Sequence, residues 1–252
     1  MKILLLLISI SLGLFSPIAQ AADIDVFVGM GQSNGDDPNL WTAFTWTYRQ
    51  ETQQSVEVIN CTVGASALVK QYADTYDVTN NNWDVNGARV PDCFLRVDAQ
   101  MAAWVGSGNT PVVKGVIWIG EESDAAVLSG GEPPYDMAPS TNARQALLDR
   151  TQVKWPTSKF FIVRLGQMAF EYAPQAYQAT AALRTNQETF ATNNPTKVKI
   201  VARGTANYPF TYPLGSSGPA TCMADAFHYP ACRRDLGTAV GAVVAEKLRE
   251  MQ

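Results

Sequence analysis

Five short runs rich in Val, Ile, Leu and Phe punctuate the chain at about Asp25–Met30, Ser55–Asn60, Val112–Ile119, Lys159–Leu165 and Lys197–Ala202. Asp25–Met30 and Lys159–Leu165 are apolar through their middles, the pattern of a strand buried on both faces, while the other three carry one interior charge each, at Glu57, Lys114 and Lys199. Between or after them, apolar residues recur with a helical period over Pro91–Trp104, Ser140–Lys154, Pro174–Thr192 and Arg233–Met251, with Ser140 a candidate N-cap. Buried strands that alternate with helices call for a parallel sheet covered on both sides. The predicted fold is therefore α/β, a three-layer α/β/α sandwich of the flavodoxin-like kind.

The stretch from Gly64 to Pro91 is polar and rich in Asn, and no regular element is predicted there; the Pro, Gly and Ser-rich segment from Tyr208 to Met223 reads the same way. Trp41, Trp46, Tyr48, Tyr72, Tyr76 and Trp83 lie in segments that follow strand ends. Aromatic faces there suit stacking on sugar rings, and suit a core equally well.

The first residues form a different pattern. Met1-Lys2 precede an uncharged run from Ile3 to Phe15 and a small-residue site at Ala19-Gln20-Ala21. A basic start, a short apolar stretch and an A-x-A exit predict a signal peptide over residues 1–21. That run is shorter than the roughly 20 apolar residues of a membrane-spanning helix. The expectation is export, to the periplasm or outside the cell, with residues 22–252 as one domain, since no linker, repeat or charge block divides them.

A formal charge of −4 on 252 residues, with Lys and Arg scattered, argues against nucleic acid as a partner and favours a neutral or sparsely charged substrate. Four cysteines in an exported chain predict two disulfides; Cys61–Cys93 and Cys222–Cys232 are the expected pairs because each closes a local loop. No cysteine pair has zinc spacing and the chain has a single histidine, so a metal site is not expected.

Candidate chemistry begins at Gly29-Met30-Gly31-Gln32-Ser33-Asn34-Gly35, directly after the first strand. A serine flanked by glycines at the carboxyl end of a buried strand can expose its hydroxyl where open sheets bind ligands, while its N–H faces a developing oxyanion. An ordinary turn with Ser33 as a cap is the alternative. The second piece is Asp225-Ala226-Phe227-His228, ahead of the last helix. Serine needs a base, histidine is the usual one, and a carboxylate orients it. His228 is the single histidine of the chain, so a Ser-His mechanism has no other candidate. Asp225 as a helix cap and His228 as a packed residue is the competing reading.

Gly31-Gln32-Ser33-Asn34, Gly64 in Val63-Gly64-Ala65-Ser66, Trp118-Ile119-Gly120-Glu121-Glu122-Ser123-Asp124 and Asp225-x-x-His228 fall in the order of the SGNH hydrolase blocks. The GQSN form with a Gly-Glu-Ser element after the third strand resembles the sialate O-acetylesterase and acetyl-xylan esterase branch. The resemblance implies a Ser33-His228-Asp225 triad, an oxyanion hole from the N–H groups of Ser33 and Gly64, and an acetyl-enzyme formed on a small or polysaccharide ester. It implies no metal or organic cofactor, and it places Glu122 at the family's glutamate, a brace for neighbouring loops, with a solvated carboxylate as the alternative; Gln32 and Asn34, beside Ser33 in sequence, are candidates for site support. A related esterase or lipase on simple acyl esters and a carbohydrate-binding protein on an esterase scaffold are the alternatives. One island departs from the pattern. The branch has Gln-Gly-Glu-Ser where this chain has Gly120-Glu121-Glu122-Ser123, which removes an amide that donates to the oxyanion and leaves Gln32, Asn34 and Asn60 as the nearby amides.

Overall fold

The computed structural model describes residues 21–74, 81–84, 86–166, 174–202 and 233–251. Five strands form one sheet in the order β2-β1-β3-β4-β5: β1 Asp23–Gly31, β2 Ser55–Asn60, β3 Thr110–Ile119, β4 Lys159–Val163 and β5 Val198–Ala202. Every neighbouring pair is parallel. Because strand side chains alternate, each strand supplies two cores. Val26, Val28, Met30, Val116, Trp118, Phe160 and Ile162 face one side, while Phe27, Ile117, Ile119, Phe161 and Val163 face the other.

Helices cover both sides. Val90, Cys93 and Val97 of α3 (Arg89–Gly106), Leu147 and Leu148 of α5 (Ala138–Lys154) and Phe190 of α6 (Pro174–Asn193) close the first core. Leu40, Trp41, Phe44 and Tyr48 of α1 (Pro38–Thr52) and Leu236, Val240 and Val244 of α7 (Arg233–Glu250) close the second. The three-layer α/β/α sandwich expected from the pattern is the fold. Two short helices, α2 (Lys70–Asp74) and α4 (Glu122–Leu128), complete the α-helices among the described residues.

Cys61, just beyond β2, is bonded to Cys93 on α3. A closed loop of 32 residues stabilises the folded chain by about 3–4 kcal/mol in the chain-entropy picture. Cys222 and Cys232 lie outside the described residues, as do Asp225, His228, Tyr76 and residues 1–20.

Several expectations are corrected. Ser140 does not cap α5: the helix starts two residues earlier at Ala138, with Met137 as its N-cap and proline in the first turn, and Ser140 is buried within it. The polar stretch after Gly64 contains α2, and an isolated bridge pairs Ala67 with Asn82. Trp41, Tyr48, Tyr72 and Trp83 are buried core residues, so none presents a face to a sugar. Trp83 meets Trp118 edge to face, and Tyr48 stacks on Phe44 with its hydroxyl on Asp25. Trp46, at 63 % exposed, lies on the outer face of α1.

Candidate functional site

With β2 on one side of β1 and β3 on the other, the β1–β2 and β2–β3 connections run in opposite directions across the sheet, so the carboxyl ends of β1 and β3 form a topological switch point, the place where open sheets bind ligands. Ser33 sits there. β1 ends at Gly31, whose φ of +126° lies where a side chain is disfavoured, and a Cβ at that position would come 1.8 Å from the Ile119 carbonyl oxygen. Only glycine lets β1 pass so close to the end of β3. The Gln32 N–H then donates to that same Ile119 carbonyl at 2.8 Å, and Ser33–Gly35 form one 3₁₀ turn closed by Gly35 N–H on Gln32 O and Asp36 N–H on Ser33 O. Ser33 is half-buried between the buried Gln32 and Asn34.

The loop after β2 joins this turn from one side. The Val63 N–H donates to the Gly31 carbonyl at 3.0 Å, and the Ser66 hydroxyl lies between two acceptors, the Val63 carbonyl at 2.7 Å and the Gly31 carbonyl at 3.0 Å. Trp83 Nε1 donates in turn to Ser66 Oγ at 2.8 Å. Gly64 is exposed, with open space where a Cβ would stand.

The start of α4 joins it from the other side, through three consecutive residues. Glu122, buried, accepts from Asn34 Nδ2 at 2.6 Å; the Ser123 N–H donates to Gln32 Oε1 at 3.3 Å; Asp124, fully buried, accepts from the N–H groups of Leu68 and Val69. Of the amides near the site, Asn34 is thus engaged with Glu122, and Asn60 donates to the Gly35 carbonyl while accepting from Thr62. Gln32 has its oxygen turned to Ser123.

Glu121, just ahead of these three, occupies the left-handed region at φ 91° and has no solvent exposure. Its carboxylate accepts from Arg144 Nε at 3.2 Å and Nη2 at 2.6 Å, from Trp118 Nε1 at 3.1 Å and from Gln187 Nε2 at 3.0 Å. Arg144 is equally buried, and donates also to Asn186. This group was missed in the sequence, although one signal was there: Arg144 shares the buried stripe of α5 with Ser140, Leu147, Leu148 and Thr151, and a charge in a buried stripe demands a buried partner.

Burial, and then the neighbouring Glu121, push the Asp124 carboxyl up to about 7. Its value in an unfolded chain is about 3.9, so between those two limits the folded protein holds a proton that the unfolded chain has released. By linkage, this group's contribution to stability is fully present below about pH 4 and is lost as pH rises toward 7, at up to about 1.4 kcal/mol per pH unit. In urea titrations, Asp124→Asn should remove that slope from the stability profile. Parallel profiles for the variant and the wild type would contradict it.

Among the described residues, no three His, Cys, Asp or Glu side chains gather as a metal-binding group, and no helix is long and apolar enough to cross a membrane.

No protein-family model matches the chain, and no curated protein matches it in sequence. Solved structures do match in shape. A protein from Parabacteroides merdae described as a GDSL-like lipase superposes with a TM-score of 0.55 at 12% identity, over 90% of this chain and 98% of that one. The fold is the GDSL/SGNH fold. A psychrotrophic esterase from Pseudoalteromonas sp. aligns at 9% identity with a TM-score of 0.49, over 90% of this chain and 97% of that one. At such identities the likeness is one of fold, and function has to be argued from the site itself.

Proposed function

We propose that this chain is an exported serine ester hydrolase that removes O-acetyl groups from carbohydrates, with Ser33 as nucleophile, His228 as base and Asp225 orienting it. The observation that carries the reading is Ser33 itself: a half-buried serine on a tight turn at the β1/β3 switch point of a GDSL/SGNH fold, held between the Gly64 loop and α4. The start of α7 supports the partnership. Gly237 packs on the Leu40 carbonyl and Gly241 on that of Phe44, so α7 runs parallel to α1 and begins at the edge of the sheet where β1 ends and the Ser33 turn follows. α7 begins at Arg233, five residues after His228 in the sequence, a reach of at most about 18 Å.

In this reading Ser33 Oγ attacks the ester carbonyl as its proton passes to His228. The oxyanion is met by the N–H groups of Ser33 and Gly64. The ester C–O bond then breaks, His228 hands its proton to the leaving sugar hydroxyl, and an acetyl-Ser33 remains. Water attacks next, giving its proton to His228, and acetate leaves as Ser33 is reprotonated. Asp225 stabilises the imidazolium in both steps. The carbohydrate part of the reading rests on the Gly31-Gln32-Ser33-Asn34 and Glu122-Ser123-Asp124 islands.

Steady-state assays of the purified protein on p-nitrophenyl acetate and p-nitrophenyl octanoate, with acetate release from acetylated xylan and O-acetylated sialic acid, test it. Preference for acetyl esters together with release from a glycan is expected. Preference for octanoate would move the reading to a lipase, and a folded protein without turnover would leave a carbohydrate-binding protein.

A further inference from the structure

Glu121 is an expensive residue where it stands. The turn from β3 into α4 needs a left-handed residue, a conformation that glycine adopts freely and glutamate does not, and the carboxylate and the Arg144 guanidinium are both removed from water. A buried ion pair is weak grounds for stability, since well-packed apolar residues commonly do as well. The arrangement around the pair suggests another use. Its hydrogen bonds reach the end of β3 through Trp118, α5 through Arg144 and α6 through Gln187, whose own oxygen accepts from the Leu165 N–H just beyond β4. Every one of these converges on the carboxyl edge of the sheet. The three residues that follow Glu121 are the three that hold the reacting turn and its neighbour: Glu122 on Asn34, Ser123 on Gln32, Asp124 on Leu68 and Val69.

We infer that the buried Glu121–Arg144 pair is a positioning device, locking the left-handed turn that aims Glu122, Ser123 and Asp124 so that the Ser33 turn and the Gly64 loop keep their mutual placement. The inference rests on Ser33 being the nucleophile. Glu121 and Arg144 touch no substrate; they act through their neighbours. Displacement of a reacting group by about 1 Å costs on the order of 10²-fold in rate, so an anchor of this kind shows itself in kcat and leaves ground-state binding alone.

The deciding variant is Glu121→Gly/Arg144→Met, which removes both charges, relaxes the backbone and keeps an apolar side chain on α5. It should melt cooperatively, with kcat on p-nitrophenyl acetate lowered about 10- to 100-fold and KM within about threefold of wild type. A folded double variant with wild-type kcat overturns the inference. Arg144→Lys keeps a cation but loses the forked contact, and covers the case in which the double variant fails to fold. Lowered kcat at unchanged KM is expected of it; a lowered melting temperature with unchanged kcat overturns the inference. Ser33→Ala is measured alongside. Activity that survives in Ser33→Ala defeats the reading of the site and this inference together, whereas Ser33-dependent activity with wild-type kcat in the Glu121 and Arg144 variants defeats this inference alone.

Discussion

Ser33→Ala should fold as the wild type does and lose ester hydrolysis by about 10⁶-fold, the loss seen when a serine hydrolase is deprived of its nucleophile. The fold survives because the turn owes its shape to main-chain bonds, from Gln32 N–H to Ile119 and from Gly35 N–H to Gln32, and to the Asn34–Glu122 contact. Serine and alanine have the same backbone preferences in such a turn, and the missing oxygen leaves no gap in a half-buried position. The catalytic loss is large because no alternative nucleophile would be aligned with both the base and the oxyanion donors. Circular dichroism with p-nitrophenyl acetate kinetics reads both halves of this expectation. A folded variant that keeps a rate within about 100-fold of wild type would show that Ser33 is a turn residue only.

Gly31→Ala should be far more damaging to the fold than its size suggests. The added methyl would lie 1.8 Å from the Ile119 carbonyl oxygen, a backbone atom that cannot swing aside, and the φ of +126° is hostile to any L side chain. Backbone strain of about 1–3 kcal/mol and overpacking of similar size act together, against a total stability of about 5–15 kcal/mol for a domain. The Gly31 carbonyl also receives Val63 and Ser66, so any shift that relieves the clash separates the Ser33 turn from the Gly64 loop. Gly64→Ala is the control, because open space surrounds the place of its Cβ. Urea unfolding of the two variants should show a loss of several kcal/mol for Gly31→Ala and almost none for Gly64→Ala. Equal, small losses would mean that β1 and β3 do not cross as closely as described.

The five strands were legible because each is a short run rich in Val, Ile or Phe, with the central β1, β3 and β4 buried most fully, and their observed ends differ from those read in the sequence by only a few residues. Cys61–Cys93 was legible from loop length. α1 was not, although Asp37 caps it through the Asn39 N–H, Pro38 opens it, and Leu40, Trp41, Phe44 and Tyr48 keep a helical period. Its aromatic residues suit sugar contacts and a core alike, and the burial that decides between the two comes from α7, nearly two hundred residues later in the chain. The Ser33 turn could be read locally, since its glycines and its place after a strand lie within seven residues. The Glu121 group could not. Its partners Arg144 and Gln187 are 23 and 66 residues away and become neighbours only when α5 and α6 are laid on the same face of the sheet. The substitution of Glu121 for glycine was visible; its counter-charge was a matter of tertiary packing.

The central claim is that Ser33 is the nucleophile, and covalent trapping tests it most directly. After treatment with an alkyl fluorophosphonate, mass spectrometry of the digested protein should find one adduct, on Ser33, growing in proportion to the loss of esterase activity and slowed by a competing acetyl ester. Full inactivation with the adduct on another residue, or esterase activity that persists once Ser33 is labelled, would contradict it.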